Sequence, residues 1–583
     1  MDIASEIQTS CNALEESNQG SNPDSIWCAY KKLMDSVARF SPESNPQRIS
    51  IRQQLHPIIA KAIQRMIQIL YQNRECGDHT SMKRCAFYVL SMVDRTKSTE
   101  TSTKAIFPFH GIGSPESHQI PEHPTIFNLG TLRAVSEAPH SKARRERVRG
   151  ILDKWIYSYN QRPNDVGHSI SADIPKDLGP FPNLDNILTL STFTNGEDII
   201  LILDRNTHHF TYDDNFRNYE YPADRFVEEP GAIPPRVLVL KKPRSQFIEI
   251  LNIIELEKER NQRNGTSGVG AELLQRLGKY MEIETLLREI EADQHLIWIP
   301  DDVFRVLPLS AVIDDRGGFL FRRVSSIAQV QSLTSFKWSL YKNFYYCLPQ
   351  VRYNSPKLMF YGVPTTQVPN CGFLPGVLEE YDRIKKYFSG DEICAFGDFG
   401  LNFGHSMGWL NTAAVDTFFT YHADADILWF SGHGFSGRQL LLQTEFGDMR
   451  FHESGIILYD AALSNLYLQT SGIWNFSKCW LVVINACTTG IEDEIAREAV
   501  GFPSSLYLMG AISIIASRDV LWDDIAAEFA GGVASALKDG LSKIHTLGGR
   551  AQAFKAGLES VFSGKEVEAN PLLGAGYVLL GVP

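Results

Sequence analysis

Asp426-Ile-Leu-Trp-Phe-Ser-Gly-His-Gly434 and, further along, Trp480-Leu-Val-Val-Ile-Asn-Ala-Cys-Thr-Thr-Gly490 decide how this chain folds. Each is an apolar run closed by a short, turn-prone segment, and each segment carries one reactive side chain, His433 and Cys487. Apolar runs of this length bounded by glycine read as buried strands. Side chains at the ends of buried parallel strands are where α/β proteins place their chemistry. One strand therefore delivers an imidazole and another a thiol.

From Leu296 onward, further runs of this kind alternate with helical patterns. Leu296-Ile-Trp-Ile-Pro, Lys357-Leu-Met-Phe-Tyr-Gly, Ala511-Ile-Ser-Ile-Ile-Ala and Gly576-Tyr-Val-Leu-Leu-Gly read as strands. Val377–Phe388, Ile525–Lys538 and Ala551–Phe562 have helical spacing. This alternation predicts an α/β fold, a mainly parallel sheet with helices on both faces. Ahead of it, Ile187 to Asp204 is a pair of strand-like runs around Asn195-Gly196, a strong hairpin signal. Helices are expected at Gln246–Arg260 and Val269–Ala292, and Glu255–Arg263 reads as a solvated helix face. The first 170 residues or so look α-helical, with apolar residues three and four apart around Ile26, Ile58, Met82 and Val148. Residues 95–140 read as loop, and no convincing repeat is found.

Composition bounds the function. The chain has 583 residues, 43% hydrophobic and 21% charged, with a net charge of −12. That length suggests about two to four domains. The acidic balance argues against a general nucleic-acid binder, and the basic run Ser141–Arg149 reads as a helix face. No signal peptide or membrane span is expected. Nine scattered cysteines without CxxC spacing suit reduced thiols in a cytoplasm and argue against a structural zinc site.

His433 precedes Cys487 by 54 residues (433 to 487). A thiol needs help at neutral pH, because only a few per cent of it is thiolate. A neighbouring imidazole can take its proton during attack and return it to a leaving amine. Gly434 has no Cβ, so its N–H can approach a substrate carbonyl and, with the Cys487 N–H, form an oxyanion hole. Cys479 lies at the start of a strand, and His422 and His452 lack a flanking glycine turn, so they compete poorly. Glu492-Asp-Glu494 reads as a charge cluster at a helix N-terminus. Asp523-Asp524 reads as the N-cap region of the helix that follows.

Five segments, in order, resemble the CHAT domain, a caspase-like peptidase class. They are Trp298-Ile-Pro-Asp-Asp through Leu307-Pro-Leu-Ser-Ala311, Leu374-Pro-Gly with Glu379-Glu380, Ser431-Gly-His-Gly434, Asn485-Ala-Cys-Thr-Thr-Gly490 and Gly576–Gly581. The resemblance covers roughly residues 185–583. It implies a cysteine endopeptidase with His433 as general base and acid, Cys487 as nucleophile, Gly434 and Cys487 as oxyanion hole, and no metal or organic cofactor. It divides the chain into an α-helical region (1–175) that binds a partner or is repeat-like, the N-terminal part of the CHAT region (176–350), and a caspase-like catalytic domain (351–583). Some relatives act in prokaryotic defence and death systems, where helical N-terminal regions dock a sensor or CRISPR effector and the protease cleaves a partner. The partners implied are a protein substrate and a regulatory protein or ribonucleoprotein, with no nucleic acid bound directly and no membrane. Two departures stand out. The Trp after the last pre-helix strand is displaced to Trp522, and Asn485 occupies a position that is Asp in basic-specific relatives. Asp519, Asp523 and Asp524 are then the acids available to a substrate pocket. A catalytically silent scaffold, and an acyl transferase or thioesterase using the same pair, are the competing readings.

Overall fold

In the computed structural model, the described residues are 3–39, 45–76, scattered positions up to 93, and most of 186–583. Within that last range, the larger segments left outside are 205–236, 344–355, 398–412, 469–478 and 541–546. The expected helix around Val148 and the expected loop at 95–140 also lie outside the described residues.

The strands, in chain order, are β1 (Ile187–Thr194), β2 (Asp198–Asp204), β3 (Val237–Pro243), β4 (His295–Ile299), β5 (Ser326–Gln329), β6 (Leu358–Gly362), β7 (Ile393–Phe396) and β8 (Ile427–Ser431). They continue with β9 (Gly434–Thr444), β10 (Gly447–Ile457), β11 (Ala462–Ser464), β12 (Leu481–Asn485), β13 (Glu492–Ile495), β14 (Glu498–Gly501), β15 (Ser513–Ser517) and β16 (Tyr577–Gly581). Eleven of them form one sheet in the order β3-β2-β1-β4-β5-β16-β15-β12-β8-β6-β7.

Beyond the antiparallel β2–β3 edge, the sheet consists of two parallel blocks that run in opposite directions. Strands β1, β4, β5 and β16 are mutually parallel. So are β15, β12, β8, β6 and β7. The blocks meet at the antiparallel β15–β16 pair. In the second block the chain places β7 outside β6, then crosses back to lay β8 on the other side. This reversal is the switch point at which open α/β sheets form a crevice beyond the carboxyl ends of their strands.

The central strands are buried along their whole length, and successive side chains alternate with period two between two apolar cores, one on each face. Ile427 and Trp429 of β8 join one apolar core with Leu481 and Val483 of β12. Leu428 and Phe430 join the opposite core with Val482 and Ile484. The first core is capped by helices α4 (Arg244–Asn264), α5 (Gly270–Tyr280), α6 (Pro375–Ile384), α7 (Asp523–Gly540) and α8 (Gly549–Phe562). The second is capped by the short helices Val415–Tyr421 and Phe502–Leu508.

Helices α1 (Ile3–Ser17), α2 (Pro23–Arg39) and α3 (Asn45–Glu75) form the N-terminal layer. Their apolar faces, with Leu14, Tyr30, Ile63 and Met66, share a core with Phe193 of β1 and with Ile200 and Ile202 of β2. The hairpin is therefore buried on both sides, which explains the unbroken apolar run Ile199–Leu203 of β2. No helix among the described residues is long and apolar enough to cross a membrane.

Three local expectations need correction. The helix expected across Val269–Ala292 breaks after Tyr280, because Glu282 adopts a left-handed conformation with φ 52° and a second short helix restarts at Ile283. Glu492-Asp-Glu494 lies in β13, paired antiparallel with β14, where ladder pairing has overridden the charge pattern. The face from Glu255 to Arg263 is not uniformly solvated, since Glu257 is buried.

Tyr577 of β16 stacks on Phe529 of α7 with ring centroids 3.6 Å apart and planes 5° from parallel. Removing that ring leaves a cavity under the centre of the sheet. Phe529→Ala is expected to cost about 3–5 kcal/mol, read as a lowered midpoint in urea denaturation.

Candidate active site

In the β8–β12 ladder Ser431 lies opposite Asn485. His433 follows the first by two residues and Cys487 follows the second by two, so the two side chains emerge from neighbouring strand ends at matched positions. The backbones beyond the strands also touch. A Cβ on Gly434 would lie 2.0 Å from the Cys487 carbonyl oxygen and 2.8 Å from Thr489 Cγ2. Only glycine permits this approach, and the need is steric.

Each candidate side chain is held from its outer side by a backbone group. His433 Nε2 is 2.7 Å from the Gly372 carbonyl oxygen in the connection after β6. The Leu521 N–H, in the connection after β15, donates to Cys487 Sγ at 3.3 Å. Strand order β15-β12-β8-β6 is thus matched by the order Leu521, Cys487, His433, Gly372 across the mouth of the crevice.

The turn after β12 is tightly determined. Thr488 has φ 55°, a conformation uncommon for a β-branched residue. Its N–H donates to the Asp519 carbonyl at 3.0 Å, and the Gly490 N–H donates to the Ser517 carbonyl at 2.6 Å. Thr489 Oγ1 donates to the Ala486 carbonyl at 3.0 Å. Burial pushes the Cys487 thiol above its ordinary value. The Leu521 amide pulls it part of the way back, while the Asp523 charge pushes it up.

A buried polar cluster lies beneath both strand ends. Glu380 of α6 is fully enclosed and accepts hydrogen bonds from Trp429 Nε1 and from Ser431 Oγ, the latter at 2.5 Å. The Asn485 side chain adjoins it and favours its charged form. Asn485 Nδ2 donates to the Ala526 carbonyl at 2.8 Å and its Oδ1 accepts from Tyr577 Oη at 2.8 Å. Burial raises the Glu380 carboxyl to about 8 despite these hydrogen bonds, and Asp523 adds to the rise. In the sequence Glu380 is only the second acid of the Glu379-Glu380 pair, and nothing local marks it as buried.

The three acids considered for a substrate pocket have other contacts. Asp519 Oδ1 forms an ion pair with Lys258 Nζ at 2.7 Å. Asp523 Oδ2 accepts from the Gly376 N–H at 3.1 Å, in the first turn of α6. Asp524 Oδ1 accepts from the Ile525 N–H at 2.9 Å at the start of α7. Of the competitors, His422 is buried with Nδ1 3.0 Å from the Phe418 carbonyl oxygen, and Cys479 is buried and donates to the Leu481 carbonyl. The Gly372 carbonyl and the Leu521 amide are main-chain groups and had no side-chain signal to betray them.

The CHAT domain family model matches residues 269–581. Among solved structures, the chain is similar to the Arg-specific cysteine proteinase gingipain R, RgpB, of Porphyromonas gingivalis. That likeness has 12% identity and a TM-score of 0.33, and covers 57% of this chain and 74% of that one. It is also similar to the Saccharomyces cerevisiae separase–securin complex, with 10% identity and a TM-score of 0.39 over 96% of this chain and 45% of that one. No curated protein matches the chain.

Two expectations follow from the geometry. Gly434→Ala forces the two turns apart and is expected to lower any activity that depends on both by about 10²-fold, measured beside the melting temperature. The folded value of Glu380 lies above its unfolded one, so the folded state keeps a proton that the unfolded state releases. Its contribution to stability is complete below about 4.5 and is lost as pH rises to about 8. Glu380→Gln is expected to flatten the stability–pH curve in that window, as read by denaturant midpoints.

Proposed function

The chain belongs to the CHAT domain family, and from that premise we propose that it is a cysteine endopeptidase with Cys487 as nucleophile and His433 as general base and acid. One observation carries the reading: a His and a Cys leave adjacent parallel strands at matched register, at the switch point of the sheet.

The hydrogen bonds support a direction of proton flow. A carbonyl only accepts, so the bond to Gly372 puts the imidazole proton on Nε2 and leaves Nδ1 as the basic nitrogen. The raised thiol carries its proton at neutral pH, so the reading takes base-assisted attack and not a standing ion pair. As Sγ bonds to the scissile carbonyl carbon, Nδ1 takes the thiol proton. The Gly434 and Cys487 N–H groups receive the developing oxyanion. The imidazolium then protonates the leaving amine, and the acyl-enzyme forms. Water, deprotonated by the same nitrogen, attacks the thioester carbonyl and releases the acid, and the thiol regains its proton.

The substrate in this reading is a protein partner, and the protease is held in check until a regulatory protein or ribonucleoprotein acts through the N-terminal helices. The support is the separate α1–α3 layer, which packs on the β1–β2 hairpin at the far end of the sheet from β8 and β12. A role in defence or cell death follows from the family resemblance. A cytoplasmic setting is in keeping with the cysteines, which are free among the described residues.

The test is mass-spectrometric profiling of new termini in a proteome-derived peptide library. Wild type is expected to generate them and Cys487→Ala none, while His433→Ala slows their appearance by about 10²–10⁴-fold with the fold intact. Cleavage by Cys487→Ala at the wild-type rate would remove Cys487 as nucleophile.

A further inference from the structure

The connection after β15, residues 518–522, carries the Leu521 N–H that donates to Cys487 Sγ and the Asp519 carbonyl that accepts from Thr488. Whatever fixes this connection therefore fixes the surroundings of the sulfur. Two side-chain anchors tie it to the other parallel block. Arg518 donates to the Leu307 carbonyl at 3.2 Å and to Gln329 Oε1 at 2.6 Å. Asp519 meets Lys258 of α4.

The second anchor is unusual in where it starts. Lys258 precedes residue 269, where the family match begins. Its side chain is 13% exposed and that of Asp519 is 17% exposed, so the pair is largely out of water. Glu255, more exposed, also contacts Lys258 Nζ at 3.0 Å. Burial pulls the Lys258 ammonium down, but Asp519 and Glu255 outweigh it and the net shift is upward. On its other side, Asp519 is wedged against Gly576, where a Cβ would lie 2.7 Å from both its Cβ and its Oδ2.

We propose that Lys258 is a positioning residue for Cys487: through Asp519 it holds the 518–522 connection so that the Leu521 amide stays on the sulfur. The inference rests on the reading of Cys487 as the reactive thiol. The cause is the cost of leaving one member of a buried ion pair alone. Without Lys258 the Asp519 carboxylate must turn toward water, and the connection moves with it. The Leu521 amide's hydrogen bond, which favours the thiolate, is then lost together with the longer 3.8 Å contact from the thiol to the Leu521 carbonyl; the amide is the closer of the two, and the thiol becomes harder to ionise. Helix α4 thereby becomes a lever on the site from outside the family's matched region.

The test reads the sulfur directly. The full chain is alkylated with iodoacetamide across a pH series, and Cys487 is followed by peptide mass spectrometry with the exposed Cys28 as internal reference. Lys258→Met and Asp519→Asn are both expected to slow Cys487 alkylation several-fold at neutral pH and to move its midpoint upward. Lys258→Arg keeps the pair and is expected to track wild type. A direct field effect gives a different pattern, because losing the cation raises the thiol while losing the anion lowers it. The other groups around the sulfur, His433, Asp523, Glu380 and Tyr577, are unchanged in every variant. Opposite shifts in the two variants, or no shift in either, overturn the proposal. If Lys258→Met does not fold, Asp519→Asn alone decides, since the two explanations give it opposite signs. Shifted alkylation in a chain whose wild type cuts no peptide would leave the positioning role standing and remove the endopeptidase reading. Unchanged alkylation beside Cys487-dependent cleavage would do the reverse.

Discussion

The parallel pairing of β8 with β12, Ser431 opposite Asn485, is the constraint on which the site depends. Slipping one strand by a single residue would carry its whole set of side chains to the other face of the sheet. Here both faces are packed, so a slip would bury Ser431 or Asn485 among apolar neighbours without partners. Glu380 makes the register specific. Its two oxygens take Trp429 and Ser431 from one strand, and Asn485 reaches it from the other. A carboxyl buried this deeply is tolerated because Trp429 and Ser431 donate to it and because burial, outweighing those donors, lets it hold its own proton near neutrality.

The remaining charges are arranged so that few are left alone near the thiol. Asp523 spends its carboxylate on an amide at the start of α6, where the helix end favours a negative group. Asp519 is matched by Lys258. The site that results is a protonated sulfur and a neutral carboxyl between hydrogen-bonded walls. In the proposed reaction such a site would rely on a base at the moment of attack, without a permanent thiolate. It also keeps an idle thiol less open to oxidation and to stray electrophiles.

Much of this was legible from residues alone. The unbroken apolar runs before His433 and Cys487 could only be strands buried twice over, and they are. The Asn195-Gly196 signal marked a hairpin, and β1–β2 is one. Helices α6, α7 and α8 lie where apolar spacing put them, within a few residues. What escaped had weaker or non-local signals. The β9–β11 sheet begins directly after His433, yet its strands carry too much polar character to stand out. The left-handed turn at Glu282 breaks a helix that periodicity alone would continue. Lys258 sits in a stretch of alternating charge, and nothing local separates a lysine in solvent from one whose partner is 261 residues away. The two backbone contacts to His433 and Cys487 come from peptide groups, which every residue possesses.

The seam between the blocks has a consequence for how the molecule is made. Strand β16 joins β5 on one side and β15 on the other, so the last of the described strands in chain order sits at the centre of the sheet. On a ribosome, the halves on either side of it can each begin to assemble, but neither can be zipped to the other until residues 577–581 emerge. Tyr577, which braces Asn485 from below, arrives in the same few residues. A chain whose synthesis stops before residue 577 would thus lack the keystone between its halves and a support of the strand that bears Cys487. The order of the strands itself delays assembly of the site until residues 577–581 have been made.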